Sequence, residues 1–283
     1  MNVELADERI LVLADRFSMD HAEGRAWAKR ADAFGTMAKL GGFLNRDDAS
    51  EYECVYRERR LQPFWRLHAA AASVFERTRE YVVPLSAEVT GVSVEGAPRI
   101  VANREFRITG LESCRVQNDR EVYYDGLTRA ETPALASYLK YEATPGTAES
   151  LAETAASGTV VVPPEARASA LVRDVVAAAI PKFEADRVLE ERVVVDAVDL
   201  YYRPVYAFRY RHRGKEAVVE FDALTGDARP GGATFEQYLG KALAPKFLLD
   251  ASVEAINLLV PGTQLARIVV QHGVNQLIER RKT

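Results

Sequence analysis

Between Tyr202 and Arg213 the chain alternates. Pro204, Tyr206, Phe208 and Tyr210 fall at even positions, and Arg203, Arg209, Arg211 and Arg213 at odd ones. A period of two is the side-chain spacing of a strand, so one face is aromatic and the other basic. Arg213-Gly214 supplies a reversal. Pairing His212 with Lys215 then sets Tyr210 opposite Ala217, Phe208 opposite Val219 and Tyr206 opposite Phe221, while Arg211 meets Glu216 and Ala207 meets Glu220. A slip of one residue would turn every apolar side chain to the wrong face. The sequence therefore predicts an antiparallel hairpin here. It is closed by Asp222-Ala-Leu-Thr-Gly226, in which an aspartate caps its own turn and a glycine takes a left-handed position.

The same turn core recurs in Asp125-Gly-Leu-Thr-Arg129, and Leu61-Gln-Pro-Phe-Trp-Arg-Leu67 echoes Tyr201–Phe208 in carrying a proline into an aromatic strand. Both point to a diverged internal duplication over residues 54–130 and 188–229. A helix from Pro164, a strand pair rich in Tyr and Val, and the closing Asp-Ala-Leu-Thr-Gly together resemble the PepSY repeat over residues 164–229, with a fainter echo at 61–129. The resemblance implies a helix packed on a short antiparallel sheet, and a non-catalytic regulatory or inhibitory module linked to peptidases.

The expected fold class is α+β: two related antiparallel-sheet modules with packed helices and a C-terminal helical hairpin. Residues 1–50 form an N-terminal amphipathic helical segment, in which Asp20 and Glu23 make a capping box and Trp27, Ala31, Phe34 and Ala38 form one stripe. The first β module occupies 51–140, with turns at Glu95-Gly-Ala-Pro98 and Gln117-Asn-Asp119 and a short helix from Thr132-Pro133 to Lys140. Residues 141–163, rich in Ala, Thr, Ser and Pro, read as a linker, and 164–232 as the second module. Residues 233–283 read as helices, with Pro261-Gly262 between the last two.

Catalytic constellations are missing from this pattern. His21, His68, His212 and His272 show no metal-ligand spacing, so no metal or cofactor is expected. No Gly-x-Ser-x-Gly elbow and no phosphate-binding glycine loop occurs. Cys54 and Cys114 are the only cysteines. A Cys114–His68 dyad is the one nucleophilic arrangement that can be drawn. Asp196 and Asp199 fall on opposite faces of any regular strand through them.

The favoured function is therefore non-catalytic: a cytoplasmic regulatory or scaffold protein that binds a protein partner or itself. An acidic N-terminus without an apolar signal core supports the compartment. The binding surface is expected on two apolar helical stripes, Leu248, Ala251, Ala255 and Leu258, and Leu265, Ile268, Val269 and His272. Alternatives are a PepSY-like peptidase regulator and a nucleic-acid binder using the basic face of residues 203–215. A formal net charge of −4 and the carboxylates facing the arginines argue against the last. Arg280-Arg281-Lys282 allows at most a peripheral membrane contact.

Overall fold

A computed structural model of the chain describes residues 1–35, 51–231 and 267–269. In chain order the elements are β1 (Asn2–Leu5), β2 (Glu8–Leu13), α1 (Met19–Ala28), β3 (Tyr52–Pro84), β4 (Val92–Val94), β5 (Ala97–Arg99), β6 (Val101–Ala102) and β7 (Glu105–Asp125). There follow β8 (Ala143–Gly146), α2 (Ala148–Ala156), β9 (Val160–Val161), α3 (Ala168–Ala179), β10 (Arg187–His212), β11 (Lys215–Asp222), β12 (Ala228–Pro230) and β13 (Arg267–Val269). Short 3₁₀ helices cover Arg30–Phe34 and Pro133–Lys140.

The hairpin at the C-terminal end of β10 has the register expected from its two faces, from His212 opposite Lys215 to Tyr206 opposite Phe221. Arg213 and Gly214 both take positive φ in the two-residue turn, as a right-twisted hairpin requires. Tyr206, Phe208, Tyr210, Val219 and Phe221 are buried against Ala22 and Ala26 of α1.

The expected separation into two antiparallel-sheet modules does not hold. The hairpins β3–β7 and β10–β11 are joined by a continuous antiparallel ladder between β3 and β10, running from Tyr52 opposite His212 to Glu76 opposite Arg187. The result is one large mixed sheet in which strands outweigh helices, with β12-β11-β10-β3-β7-β6 as its main order. β1 and β2 add to β10 in parallel, and β9 adds to β3 in parallel. The C-terminal helical hairpin is not supported either. Arg267–Val269 is a strand parallel to β1. Ile268 and Val269 are β-branched, which suits the extended chain better than the helix they were assigned to. Leu248, Ala251, Ala255, Leu258, Leu265 and His272 lie outside the described residues.

Other expectations shift for local reasons. The presumed linker is built: β8 pairs with β2, α2 is capped by a reciprocal Thr147–Ser150 box, and β9 enters the sheet. Gln117-Asn-Asp119 is no turn but lies mid-strand in β7, where alternation outweighs turn propensity. α1 is capped by Ser18 and gives way to 3₁₀ helix at Arg30.

The two Asp-x-Leu-Thr turns from which a duplication is inferred match in geometry. Asp125 Oδ1 accepts from the Leu127 and Thr128 N–H groups at 2.9 Å, and Asp222 Oδ1 accepts from Leu224 and Thr225 at 2.9 and 3.0 Å. The second turn residue donates to a proline carbonyl in both: Gly126 to Pro63 at 3.0 Å, Ala223 to Pro204 at 3.2 Å. Arg129 and Gly226 take the left-handed position. β3 and β10 pair with Gln62 opposite Arg203; their ladder shifts at Val55 and Asp196, each seven residues from that pair, and again at Leu189.

The helices are exchanged relative to these repeats. α1, which precedes β3–β7, packs on β10 and β11. α3, which precedes β10–β11, packs on β3, β7 and the first half of β10. Both lie on one face of the sheet. That face carries Leu61, Trp65, Leu67, Ala69, Val195, Val198 and Leu200, all buried. On the opposite face the 3₁₀ helix at Pro133–Lys140 covers only a central patch around Phe64, Tyr123 and Tyr201.

Candidate functional site

Beyond that patch, the second face of β10, β3 and β7 is uncovered by any described helix. Its floor is Ala70, Ala72 and Val74 of β3 with Val194 of β10, and its walls are Arg115, Gln117 and Asp119 of β7 and Glu190 and Arg192 of β10. The hollow holds about 420 Å³ and adjoins a second of about 530 Å³, lined by Arg9, Arg66, His68, Asp119, Glu121, Asp196 and Ala197. Asp119 belongs to both. Small side chains at 70 and 72 make the floor low: a strand of larger residues would have filled the space.

A bulge builds the polar end. The β3–β10 register shifts between Val195 and Ala197, where Asp196 is the extra residue. A bulge resets side-chain parity, so Asp196 and Asp199 reach the same face, contrary to the expectation from a regular strand. Asp199 is fully buried and holds a bidentate pair with Arg9 at 2.7 and 2.9 Å, plus Arg66 Nη1 at 3.1 Å. Arg66 Nε also donates to Glu121 at 2.8 Å. Burial works to raise the Glu121 carboxyl, but the bonds from Arg66 and Tyr123 and the charges of Arg66 and His68 together hold the group below its ordinary range.

His68 sits between two carboxylates. Its Nδ1 faces Asp196, and its Nε2 lies 2.5 Å from Asp119 Oδ1. Partial burial lowers the imidazole pKa, yet the bond and charge of Asp196, followed by those of Asp119, raise it overall. Both ring nitrogens are engaged, so the ring acts as a clamp between β10 and β7.

The Cys114–His68 arrangement, which the sequence allows but does not demand, is not formed. Cys114 is opposite Phe75 on β7, whereas Glu121 is opposite His68. The two side chains also project from opposite faces, since Phe75 is buried and His68 lines the open hollow. Among the described residues no group of three or more His, Cys, Asp or Glu side chains is arranged to hold a metal ion.

The predicted basic face is answered by acids. Arg203 pairs with Asp222 at 2.8 Å, Arg209 with Glu216 at 3.6 Å, Arg211 with Glu216 at 3.0 Å, and Arg213 with Glu51 at 2.7 Å. Arg203 also donates to Gln62 and to the Tyr138 hydroxyl, which makes it an interior strut. A phosphate backbone would have to displace each of these carboxylates. Among the described residues no helix is long and apolar enough to cross a membrane.

Comparison with protein-family models, with curated proteins and with solved structures finds no match for this chain. The open face is thus read from its own chemistry: a low apolar floor and walls carrying both charge signs.

Proposed function

We propose that this chain is a non-catalytic cytoplasmic scaffold or regulatory protein that seats a polypeptide segment of a protein partner on the open face of β10, β3 and β7. The observation that carries the reading is the uncovered Ala70–Ala72–Val74 floor between charged walls. Sheet faces bury their apolar side against another layer, and a partner segment with small apolar side chains would complete that layer here. Arg115 and Arg192 would meet its acids, and Asp119 and Glu190 its bases. The expected surface on the terminal helices gives way to this face.

Affinity purification of the full chain from its host tests the reading, run beside the double variant Ala70→Lys with Ala72→Lys. A stoichiometric partner that rebinds the purified chain, and is lost from the folded double variant, supports it. No stoichiometric partner, or one retained by the variant, overturns it. A second reading, a PepSY-like peptidase regulator, is favoured by the matched Asp125 and Asp222 turns. It identifies that partner as a peptidase whose activity changes on binding.

A further inference from the structure

β7 is bonded to β3 along its whole length, from Asp125 opposite Phe64 to Glu105 opposite Pro84, without a register shift. Among the described residues its other edge is taken up only at the two ends. β6 pairs with Glu105 and Phe106, and Glu131 bridges Tyr124. Among the described residues no backbone group pairs with this edge between Arg107 and Val122. The outward direction follows from the end contacts. Tyr123 C=O accepts from Thr132 at 2.7 Å and Asp125 N–H donates to Ala130 at 2.9 Å, both away from β3. Odd-numbered residues of β7 therefore offer their N–H and C=O groups outward.

An open edge of this length pairs with other strands unless it is blunted by proline, a bulge or charged side chains of one sign. β7 has no proline and no register shift, and its charges alternate in sign from Arg107 through Glu112 and Arg115 to Asp119. Leu111, at 65% exposure, stands in its middle.

We infer that the occupant of this edge is β7 of a second copy of the chain, paired antiparallel about a twofold axis at Ser113. Such an axis is normal to the sheet, so only residues of the same parity meet. With Ser113 on the axis, Arg107 lies opposite the second copy's Asp119, twice per dimer, Leu111 opposite Arg115, and Thr109 opposite Gln117. No like charges meet between 107 and 119. An axis at Glu112 sets that carboxylate against itself, and one at Arg115 does the same for two guanidinium groups. An axis at Cys114 sends Arg107 to Glu121, 40% exposed and held by Arg66, whereas Asp119 is 73% exposed and touches His68 through Oδ1 alone. In either register Arg107 turns from Glu80 to the second copy. Among axes from Glu112 to Arg115, cross-strand charge complementarity favours the one at Ser113. Pairing in this way fuses two sheets into one and brings both open floors to the same side. It does not depend on whether those floors seat a partner.

Light scattering on the eluting full-length chain tests the proposal. The expected result is twice the chain mass, falling to the single mass on dilution. Ser113→Pro removes an outward N–H on the axis and no bond to β3, and is expected to give a monomer. Arg107→Asp and Asp119→Arg each set like charges opposite one another and are expected to weaken the dimer roughly tenfold. The two changes together restore it. A wild-type chain that is monomeric at every concentration overturns the proposal, as does a dimer that both single charge reversals leave intact. Partner capture lost by the Ala70/Ala72 variant while the dimer persists would mark the two surfaces as separate.

Discussion

Gly126→Ala should be among the most damaging single changes in the chain, and Ala223→Gly, at the matching turn position, a mild one. A methyl group on Gly126 would stand 2.4 Å from the Pro63 carbonyl oxygen and 2.7 Å from its Cγ. Neither atom is free to move: Pro63 is held between β10 on one side and the turn on the other, opposite Tyr202. Relief must come from displacing the turn. That endangers the Gly126 N–H bond to Pro63 at 3.0 Å and the Glu165 N–H bond to the Gly126 carbonyl at 2.7 Å. Two hydrogen bonds at about 1 kcal/mol each and overpacking of about 1–3 kcal/mol give a loss of roughly 3–5 kcal/mol. At the other turn the chain already carries the methyl group, fully buried, with the equivalent bond at 3.2 Å. Its removal costs about 0.8 kcal/mol of burial and about 0.5–1 kcal/mol of backbone entropy. Urea unfolding followed by fluorescence, with buried Trp65 as a reporter, measures both. Equal midpoint shifts, or a Gly126→Ala loss below about 1 kcal/mol, would refute the claimed close approach.

The remaining predictions concern the polar end of the open face. His68 has a raised pKa in the folded chain, so its pairing stabilises below the unfolded value of 6.5 and is lost as pH rises through the folded value. The stability advantage of wild type over His68→Gln, measured by urea midpoints, should shrink as pH rises through that window. An advantage that grows with pH contradicts the clamp. Asp199→Ala removes the buried acceptor of Arg9 and Arg66, but Arg9 is 58% exposed and Arg66 keeps Glu121, so it should cost about 1.5–3 kcal/mol, whereas Asp196→Ala, at a more exposed carboxylate, should cost within about 1 kcal/mol. The same unfolding assay ranks them. Cys114→Ser should leave the His68 imidazole titration unmoved in NMR, and a shift would revive the dyad. Burial pushes the Cys54 thiol up, so it should alkylate more slowly than the same thiol in urea.

What the sequence discloses follows from how locally each feature is determined. The hairpin register at 203–222 was legible because aromatic and charged residues alternate over both strands and the turn leaves no slack. The two Asp-x-Leu-Thr turns were legible because the aspartate satisfies its own turn's N–H groups within a few residues. Helix α3 announced itself through Leu171, Val172, Val175 and Ala179 and the proline that follows. The long ladder between β3 and β10 was not legible, since nothing within either repeat records that its edge is completed by the other. For the same reason the parallel additions of β1, β2 and β9 and the exchange of α1 and α3 lay beyond local pattern.

The open face was missed through one residue. Asp196 reads as a regular strand position, and only the bulge, set by pairing with β3, turns it toward His68 beside Asp199. Asp119 was hidden by a run, Gln117-Asn-Asp119, whose composition favours turns. The one usable signal was Ala69-Ala-Ala-Ala72 inside a strand otherwise made of large residues. Four small side chains there leave space above the sheet on one face, while α3 fills the other.

The claim that this space seats a partner is tested most directly by a photo-crosslinking amino acid placed at Ala72 of the full chain in its host. A matched probe at exposed Glu88, in the segment after β3, serves as control. One discrete adduct is expected at Ala72 and none at the control position. No adduct at Ala72, or the same pattern from both positions, would contradict it.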